Sequence, residues 1–442
     1  MNTTDVAQYL NEQLKKKADA YDFSIVESDS TDLEIFESEI KKSEISSSYA
    51  VGIRLFKNGK PGYSSAKRFT LESLDIMIND ALSHADLTDK VEIELPSSLN
   101  ESKLDLQAYN PELENVTMNE MKDFCLVIEE KVKSGNKIEN IPYLGMGKSS
   151  GTKHFYNSKG VHYNNRSNSI SAYVGASAQD GDVKKMGVYS NGSRSLNKLD
   201  HQLFSNKVIE RAEELLEAKP IPSGEYPVVF SNRVSGSLIS MFGSIFSADM
   251  VQKGQSKLKG KLNQKIASEK LSILCNPLLV GEPGSRLYDG EGINCKETPI
   301  ITDGKLINVI HNLETAKKDN VVASGHGVRG LNSRAGVSFS NLIVEKGEQA
   351  LNSMLNSVNQ CLYIVKLDGS SACSAISGEI SIGVQGFLIE NGERVQAVDR
   401  VILNSNIFDL FNKIQCFSNE YSDAFSSIKV PDMLVDKISL SS

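Results

Sequence analysis

Several serines, whose hydroxyl groups can act as nucleophiles, recur in one stretch of the chain. This stretch, residues 226–254, reads YPVVFSNRVSGSLISMFGSIFSADMVQKG. Residues 226–230 predict a buried strand, and apolar residues then recur at helical spacing. A strand that runs straight into a helix is a common mount for a nucleophile or a metal ligand. The predicted helix carries Ser240 and Ser244 on one face, but neither His nor Glu. Because a serine needs a neighbouring base to act as a nucleophile, packing or capping is the favoured interpretation of both.

The six histidines do not form the usual pattern of a zinc hydrolase. Such enzymes often take two ligands from adjacent turns of one helix, because that spacing directs both imidazoles at one ion. No two histidines of this chain stand four residues apart on a predicted helix. His326 lies among glycines, where exposure is expected, and both a functional and a hydrogen-bonded structural role are open to it. The histidines are His84, His154, His162, His201, His311 and His326.

Two stretches resemble nucleotide-binding motifs, but neither has everything that such a site requires. Residues 325–330 match G-x-G-x-x-G, but the residues that follow read as loop and strand, so a glycine-rich loop is favoured over a dinucleotide site. Gly147-Lys148-Ser149 resembles the end of a phosphate-binding loop, yet Pro142 stands where the first glycine is required. No G-x-S-x-G occurs, so no nucleophile elbow is predicted.

Two further clusters, residues 288–292 and 377–381, place Asp or Glu beside glycine. Such acids bind cations, orient a peptide backbone or cap turns, and capping is the favoured interpretation in loops of this kind. No metal site is predicted from them.

Length and composition set the class of protein. The chain has 442 residues, more than one hydrophobic core usually serves, so two or three domains are expected. A formal net charge of −8 argues against a nucleic-acid partner. The sequence contains no secretory signal and no apolar run of membrane-spanning length. The six scattered cysteines form no C-x-x-C pair and indicate reduced thiols, so a cytoplasmic protein is expected.

Residues 1–85 predict a first α+β lobe. It begins with a helix over residues 5–17, capped by Thr4, and ends with a helix capped by Thr70. Between them lie strand-like segments at 33–46, 48–57 and 63–69, the last two joined across residues 58–62, which contain glycine and proline. Residues 86–114 are polar, contain two prolines and predict a linker.

Residues 115–219 predict a second α+β lobe, which begins with a capping box at Thr117 and Glu120. Its first helix turns Cys125 inward, and a last helix is predicted over residues 202–218. The strand-like segments between them are 149–156, 160–163, 169–177 and 183–189. Both lobes therefore run helix, strands, helix, which indicates a duplicated unit.

Residues 220–442 predict a C-terminal domain rich in strands, after a boundary where two prolines and a glycine end the preceding helix. Strands are predicted at 306–310, 362–367, 382–390 and 395–403, with Asn391-Gly392 as a hairpin turn, and short helices at 349–356 and 406–413. The predicted fold class is α+β: two similar helix–strands–helix lobes, then a strand-rich domain that carries the helix of residues 226–254.

From about Ser223 to the C-terminus the sequence resembles the TldD/PmbA family, also called the modulator of DNA gyrase family. Residues 323–327 (ASGHG) look like the family's Thr-Gly-His loop. A weaker match, residues 157–160, lies in the second lobe. The other matching stretches are 287–292 (LYDGEG), 303–306 (DGKL), 377–381 (SGEIS) and 386–393 (GFLIENGE). They occur in the family's order and span most of the chain.

The resemblance implies one of two kinds of subunit. The TldD kind is a zinc metalloprotease with a His-Glu-x-x-x-His helix and a later cysteine ligand, whereas the PmbA (or TldE) kind lacks these ligands and pairs with the catalytic subunit. In this sequence the histidine positions fall on Ile239 and Ser244, and the glutamate position on Ser240. The later cysteine position falls near residues 423–427, which contain no cysteine, and Cys416 stands too early. The resemblance therefore implies a PmbA/TldE-like subunit with neither catalytic nor metal-binding residues, and zinc only in a TldD-like partner.

We therefore expect the non-catalytic subunit of a cytoplasmic metalloprotease complex that processes or degrades peptides, paired with a TldD-like subunit or with itself. It would complete the wall of a cleft for unstructured peptide, which can bind by strand addition to a sheet edge. The candidates for lining this cleft are His326, Arg329, Glu379 and Asp249.

Two other hypotheses stay open at this point. The chain could be a hydrolase by itself, with an unrecognised site built from groups such as Ser240, Ser244, His326 and Glu379. It could also be a non-enzymatic adaptor in toxin–gyrase regulation, as the family's second name suggests. The sequence does not name the peptide substrate or decide between a homo-oligomer and a hetero-oligomer.

Overall fold

The first half of the chain folds onto one six-stranded antiparallel sheet of order β3-β2-β1-β4-β5-β6. A computed structural model describes residues 1–100, 102–369 and 372–442. The elements of this half are α1 (Thr3–Lys17), β1 (Ala20–Phe36), β2 (Glu39–Lys57), β3 (Lys60–Ala66), α2 (Leu71–Asp86), α3 (Met118–Lys133), β4 (Ile138–Asn157), β5 (His162–Asp180), β6 (Val183–Ser193) and α4 (His201–Glu213). The two predicted lobes thus meet in a single sheet, where β1 pairs with β4.

The helices of this half form where the sequence places caps and apolar stripes. Thr70 caps α2, and Thr117 forms a capping box with Glu120 at the start of α3, as predicted. The cap of α1 is Asn2 rather than Thr4, because the Asn2 side chain accepts the backbone N–H of the third helical residue. Cys125 is fully buried on α3, in a cluster with residues of β4, β5 and α4.

The predicted strand at 33–46 is wrong. The chain turns at Glu37 and Ser38, which both have positive φ, and β1 begins much earlier, at Ala20. The sequence conceals the start of β1 because Asp22 and Ser24 interrupt its apolar residues, although both are buried. The connection predicted over residues 58–62 is also shorter, since β3 already begins at Lys60.

The second half of the chain contains a sheet that closes on itself. Its strand order is β16-β15-β14-β7-β19-β17, and β16 also pairs with β19. A smaller sheet has the order β10-β9-β8-β13-β18, and β11 pairs with β12. The elements are β7 (Gly224–Phe230), α5 (Asn232–Phe242), α6 (Ala248–Gln252), β8 (Ile273–Cys275), β9 (Thr298–Thr302), β10 (Lys305–Leu306), α7 (Leu313–Asp319), β11 (Gly327–Val328), β12 (Gly336–Val337), β13 (Leu342–Val344), α8 (Leu351–Asn356), β14 (Gln360–Asp368), β15 (Glu379–Glu390), β16 (Glu393–Asn406), α9 (Ile407–Asn412), β17 (Ile414–Tyr421), β18 (Ile428–Lys429) and β19 (Pro431–Ser441).

The predicted α+β class is confirmed, and the largest apolar cluster lies between the closed sheet, the smaller sheet and the stretch that follows β7. Phe230, Leu238, Phe242 and Phe246 belong to this cluster, so the stretch singled out in the sequence is a central part of the core. The strand predicted at 306–310 is mostly absent, because the backbone N–H of Ile310 donates to Phe246 instead of joining β9. Among the described residues, no helix combines the length and apolarity needed to cross a membrane.

Gly187 on β6 lies where the sheet of the first half and α4 come very close together. A Cβ at this position would overlap backbone atoms of Val208, Arg211 and Ala212 in α4. We expect Gly187→Ala to lower the free energy of unfolding by about 1–3 kcal/mol, measured by urea denaturation followed by circular dichroism. Gly224→Ala is the control, because its Cβ would meet only a tyrosine ring carbon at 3.4 Å. Equal unfolding midpoints for the two variants would contradict the close approach.

Candidate functional site

The helix after β7 is shorter than its apolar pattern suggests. Ser231 caps α5, accepting a hydrogen bond from the backbone N–H of Val234 at 3.4 Å. The helix ends at Phe242, and a 3₁₀ turn precedes α6. Ile239 is 2% exposed and packs in the core, whereas Ser240 on α5 and Ser244 in the 3₁₀ turn are exposed.

The exposed face of α5 forms one wall of a groove with a volume of about 500 Å³, which we call the α5 groove. The opposite wall comes from the segment before and within β18, so residues near 423–427 lie beside Ser240. The lining residues are Asn232, Arg233, Gly236, Ser237, Ser240, Met241, Ser422, Ala424, Ser426, Ile428, Lys429 and Val430. The fold therefore brings together two of the regions where the resemblance places the family's zinc ligands.

The residues of the α5 groove do not fit a zinc ion. Zinc in proteins is held by thiolate, imidazole and carboxylate groups. Here Ser240 offers only a hydroxyl, and the Ile239 side chain is buried in the core. Among the residues that the structure describes, no three His, Cys, Asp or Glu side chains come together in a way that could hold a metal ion.

A second cavity, of about 380 Å³, adjoins the α5 groove at Arg233, Ser422 and Ala424. We call it the arginine pocket, because Arg211 of α4 and Arg233 of α5 both line it. Its other lining residues come from β5, β6 and the segment after β17: Ser171, Ala172, Tyr173, Tyr189, Ser190, Asn191, Gly192, Ser422, Asp423, Ala424 and Phe425. Sequence reasoning missed this pair of arginines, which lie on separate helices and carry no shared motif.

The prediction that His326 is exposed is wrong, since it is 1% exposed. Its Nδ1 lies 2.9 Å from Ser324 Oγ, and the hydroxyl of Ser324 also bonds to the backbone of His311. Burial, reinforced by the charge of Arg286, lowers the pKa of His326 to about 4. The histidine therefore has the hydrogen-bonded structural setting that the sequence left open.

Arg329 is also buried, in an ion cluster that joins the two halves of the chain. Its Nη2 lies 3.1 Å from Oδ1 of Asp22, on β1. Arg54, on β2, donates from Nε to Asp22 Oδ2 at 2.9 Å and from Nη1 to Glu291 Oε1 at 2.6 Å. Burial would lower the pKa of Arg54, but Asp22 and Glu291 outweigh it and raise that pKa. We call Asp22, Arg54, Glu291 and Arg329 the buried ion cluster.

Hydrogen bonds hold the loops that carry the acidic and glycine-rich motifs next to this cluster. Glu291 Oε2 accepts the backbone N–H of Leu313 at the start of α7, at 2.8 Å. Asp289 accepts backbone N–H groups of Glu291, Ile293 and Gly327 at 2.8–2.9 Å. Burial and the charge of Glu291 raise the pKa of Asp289 to about 6. These acids orient backbone, one of the uses expected from the sequence.

The other two cleft candidates lie elsewhere. Glu379 is exposed at the start of β15, where it accepts a hydrogen bond from Ser377 Oγ at 3.0 Å. Asp249 is half-buried on α6 and forms an ion pair with Lys253 at 2.7 Å. In the described part of the chain, no hydrogen bond or ion pair joins any two of the four cleft candidates. Their role in a cleft stays a prediction.

Three sequence models of one family match most of the chain. They are described as PmbA/TldA metallopeptidase domain 1, central domain and C-terminal domain, and they match residues 21–85, 111–216 and 223–442. The chain belongs to the PmbA/TldD metallopeptidase family. The family recognised in the sequence motifs is thus confirmed.

Relatives of this PmbA/TldD chain match along nearly its whole length. Metalloprotease PmbA of Escherichia coli O157:H7 is 23% identical over 410 residues, which are 90% of this chain and 88% of PmbA. A metalloprotease of Methanocaldococcus jannaschii is 25% identical over 399 residues, 86% of each chain. The structure of TldE from Thermococcus kodakarensis matches with a TM-score of 0.85 at 19% identity, covering 99% of this chain and 100% of TldE. The last match shows that the fold is shared.

The buried ion cluster should matter more for stability than any surface ion pair. Arg54→Met keeps the apolar stem but leaves Glu291 without its cation, and we expect a loss of about 3–5 kcal/mol in the free energy of unfolding. Lys265→Met is the matched control, because the Lys265–Glu269 pair is exposed and such pairs contribute at most about 1 kcal/mol. Urea denaturation followed by circular dichroism measures both, since the chain lacks tryptophan. A similar small loss in both variants would contradict the importance of the cluster.

Proposed function

We propose that this chain is the non-catalytic, PmbA/TldE-like subunit of a cytoplasmic metalloprotease complex that processes or degrades peptides. The observation that carries the proposal is the set of side chains at the family's zinc positions: Ile239, Ser240 and Ser244. A TldD-like partner then supplies the zinc ion, the attacking water and the general base. This chain contributes no catalytic residue.

The packing of Ile239 gives further support to the proposal that this subunit is non-catalytic. Its side chain is part of the largest apolar cluster, so the first zinc position contributes to the core instead of facing the groove. Ser240 and Ser244 are exposed, but neither hydroxyl forms a hydrogen bond to a histidine or a carboxylate within the described residues. The hypothesis of a hydrolase acting alone therefore gains no support from these serines.

The part that this subunit plays is to bind and position peptide. The α5 groove is open and is lined by both apolar side chains and serine hydroxyls, which suit an unstructured chain of varied sequence. The subunit completes the wall of a peptide cleft whose catalytic side lies in the partner. Assembly with a TldD-like subunit places the two halves of the cleft together.

Peptide cleavage by the separate and combined subunits tests the proposal. The full chain, a TldD-like partner with an intact His-Glu-x-x-x-His helix, and the co-expressed pair are each incubated with an unstructured peptide. We expect cleavage by the pair, loss of cleavage with a chelator, and none by this chain alone. Glutamate-to-glutamine substitution in the partner's motif is the control that places the chemistry in the partner.

Two results would contradict the proposal. The first is chelator-sensitive cleavage by this chain alone, freed of contaminating protease. The second is failure of the chain to associate with the TldD-like partner while adding nothing to its cleavage rate.

A further inference from the structure

The arginine pocket holds two guanidinium groups without a carboxylate partner. Arg211 donates from Nη1 to the backbone oxygen of Val188 at 2.8 Å and lies over the ring of Tyr189, 5.0 Å from its centroid. The side chain of Arg233 forms no hydrogen bond or ion pair within the described residues. Asp423 is the acid among the described lining residues, and its Oδ2 accepts a hydrogen bond from the Tyr189 hydroxyl at 2.8 Å. The pocket thus has two cations on its wall, and its acid is engaged by a tyrosine.

The two arginines are close enough to affect each other. Burial lowers the pKa of Arg211, and the positive charge of Arg233 lowers it further. Like charges that face a common cavity repel, and an anion between them removes that repulsion. Guanidinium groups bind carboxylates through short, charge-assisted hydrogen bonds, often in pairs.

The shape of the space indicates more than a small inorganic anion. The arginine pocket continues into the α5 groove at Arg233, so the two volumes of about 380 and 500 Å³ adjoin. Aromatic rings line the pocket, at Tyr173, Tyr189 and Phe425, while hydroxyl groups line the groove. Rings and hydroxyls together suit an extended peptide with varied side chains.

The other basic residue that lines the α5 groove does not compete for the anion. Lys429 already forms an ion pair with Glu282 at 3.0 Å. The arginine pocket therefore has two guanidinium groups against the one carboxylate of Asp423, and Arg233 lies where the pocket meets the α5 groove.

We propose that the arginine pocket binds a carboxylate of a peptide, with Arg211 and Arg233 as the recognising groups, while the adjoining residues of the peptide lie along the α5 groove. The carboxylate is either the peptide's C-terminus or an Asp or Glu side chain. This inference rests on the proposed function, because it names the chemical group by which the subunit holds its peptide.

Fluorescence anisotropy with the full chain tests this recognition directly. Three labelled, unstructured peptides of about ten residues are compared: one with a free C-terminus and no acidic residue, the same peptide amidated, and an amidated peptide with one Glu. We expect a peptide carboxylate to tighten binding about tenfold over the neutral peptide, since a hydrogen bond to a charged group contributes that much. The arm that gains affinity identifies the source of the carboxylate.

Substitution of Arg233 links the effect to the pocket. Arg233 is exposed, so Arg233→Gln should keep the wild-type melting temperature while it removes the tenfold preference for the peptide carboxylate. Arg233→Lys should restore part of the preference. Arg68→Gln is the matched control, because Arg68 is exposed and lies outside both cavities.

Several outcomes would overturn the inference. They are equal binding of all three peptides, an unchanged preference in Arg233→Gln, no binding of any peptide, or displacement by inorganic phosphate that binds as tightly as the peptide itself. None of these outcomes alters cleavage by the assembled pair, so failure here and failure of the proposed function are distinguishable.

Discussion

The buried ion cluster is the interaction on which the rest of the structure depends. Asp22 and Arg54 project from neighbouring strands of the first sheet, and Glu291 and Arg329 come from loops of the second half. Ions removed from water must be paired with good geometry, because an unpaired buried charge costs several kcal/mol. The two halves of the chain therefore satisfy each other's charges, and their relative placement is fixed by that requirement. The arginine pocket depends on the same placement, since β5, β6 and α4 of the first half and Arg233 of α5 all line it.

The residues that carry the family resemblance serve this architecture. Asp289 and Glu291 belong to the LYDGEG stretch and bind backbone of the glycine-rich loop and of α7. His326 lies in that glycine-rich loop and is buried with Ser324. These motifs resemble catalytic ones in residue type, yet their side chains point into protein and hold loops in place. The LYDGEG stretch of the family signature therefore helps to join the two halves of this chain, through Glu291 and Arg54.

Sequence reasoning succeeded where local signals decide structure. Thr70 and Thr117 cap helices as expected, because a cap and the apolar stripe after it are both encoded within a few residues. It failed where the deciding partner is distant. The start of β1 was missed because Asp22 looks like a surface residue until Arg54 and Arg329 are placed against it. Arg54 and Glu291 are 237 residues apart in the sequence, and no local sequence pattern predicts their contact. The arginine pocket was missed for the same reason, since its walls come from separate elements.

The central claim is that this chain keeps the fold of a metallopeptidase family but not its metal site. Ile239 in the core and Ser240 and Ser244 at the surface are the basis of that claim. The most direct test is the zinc content of the purified full chain after equilibration with buffered micromolar zinc, measured by elemental analysis. The account predicts a content far below one zinc per chain, with no change in melting temperature when a chelator is added. Close to one tightly bound zinc per chain, lost when Ser240 is changed to alanine, would contradict it.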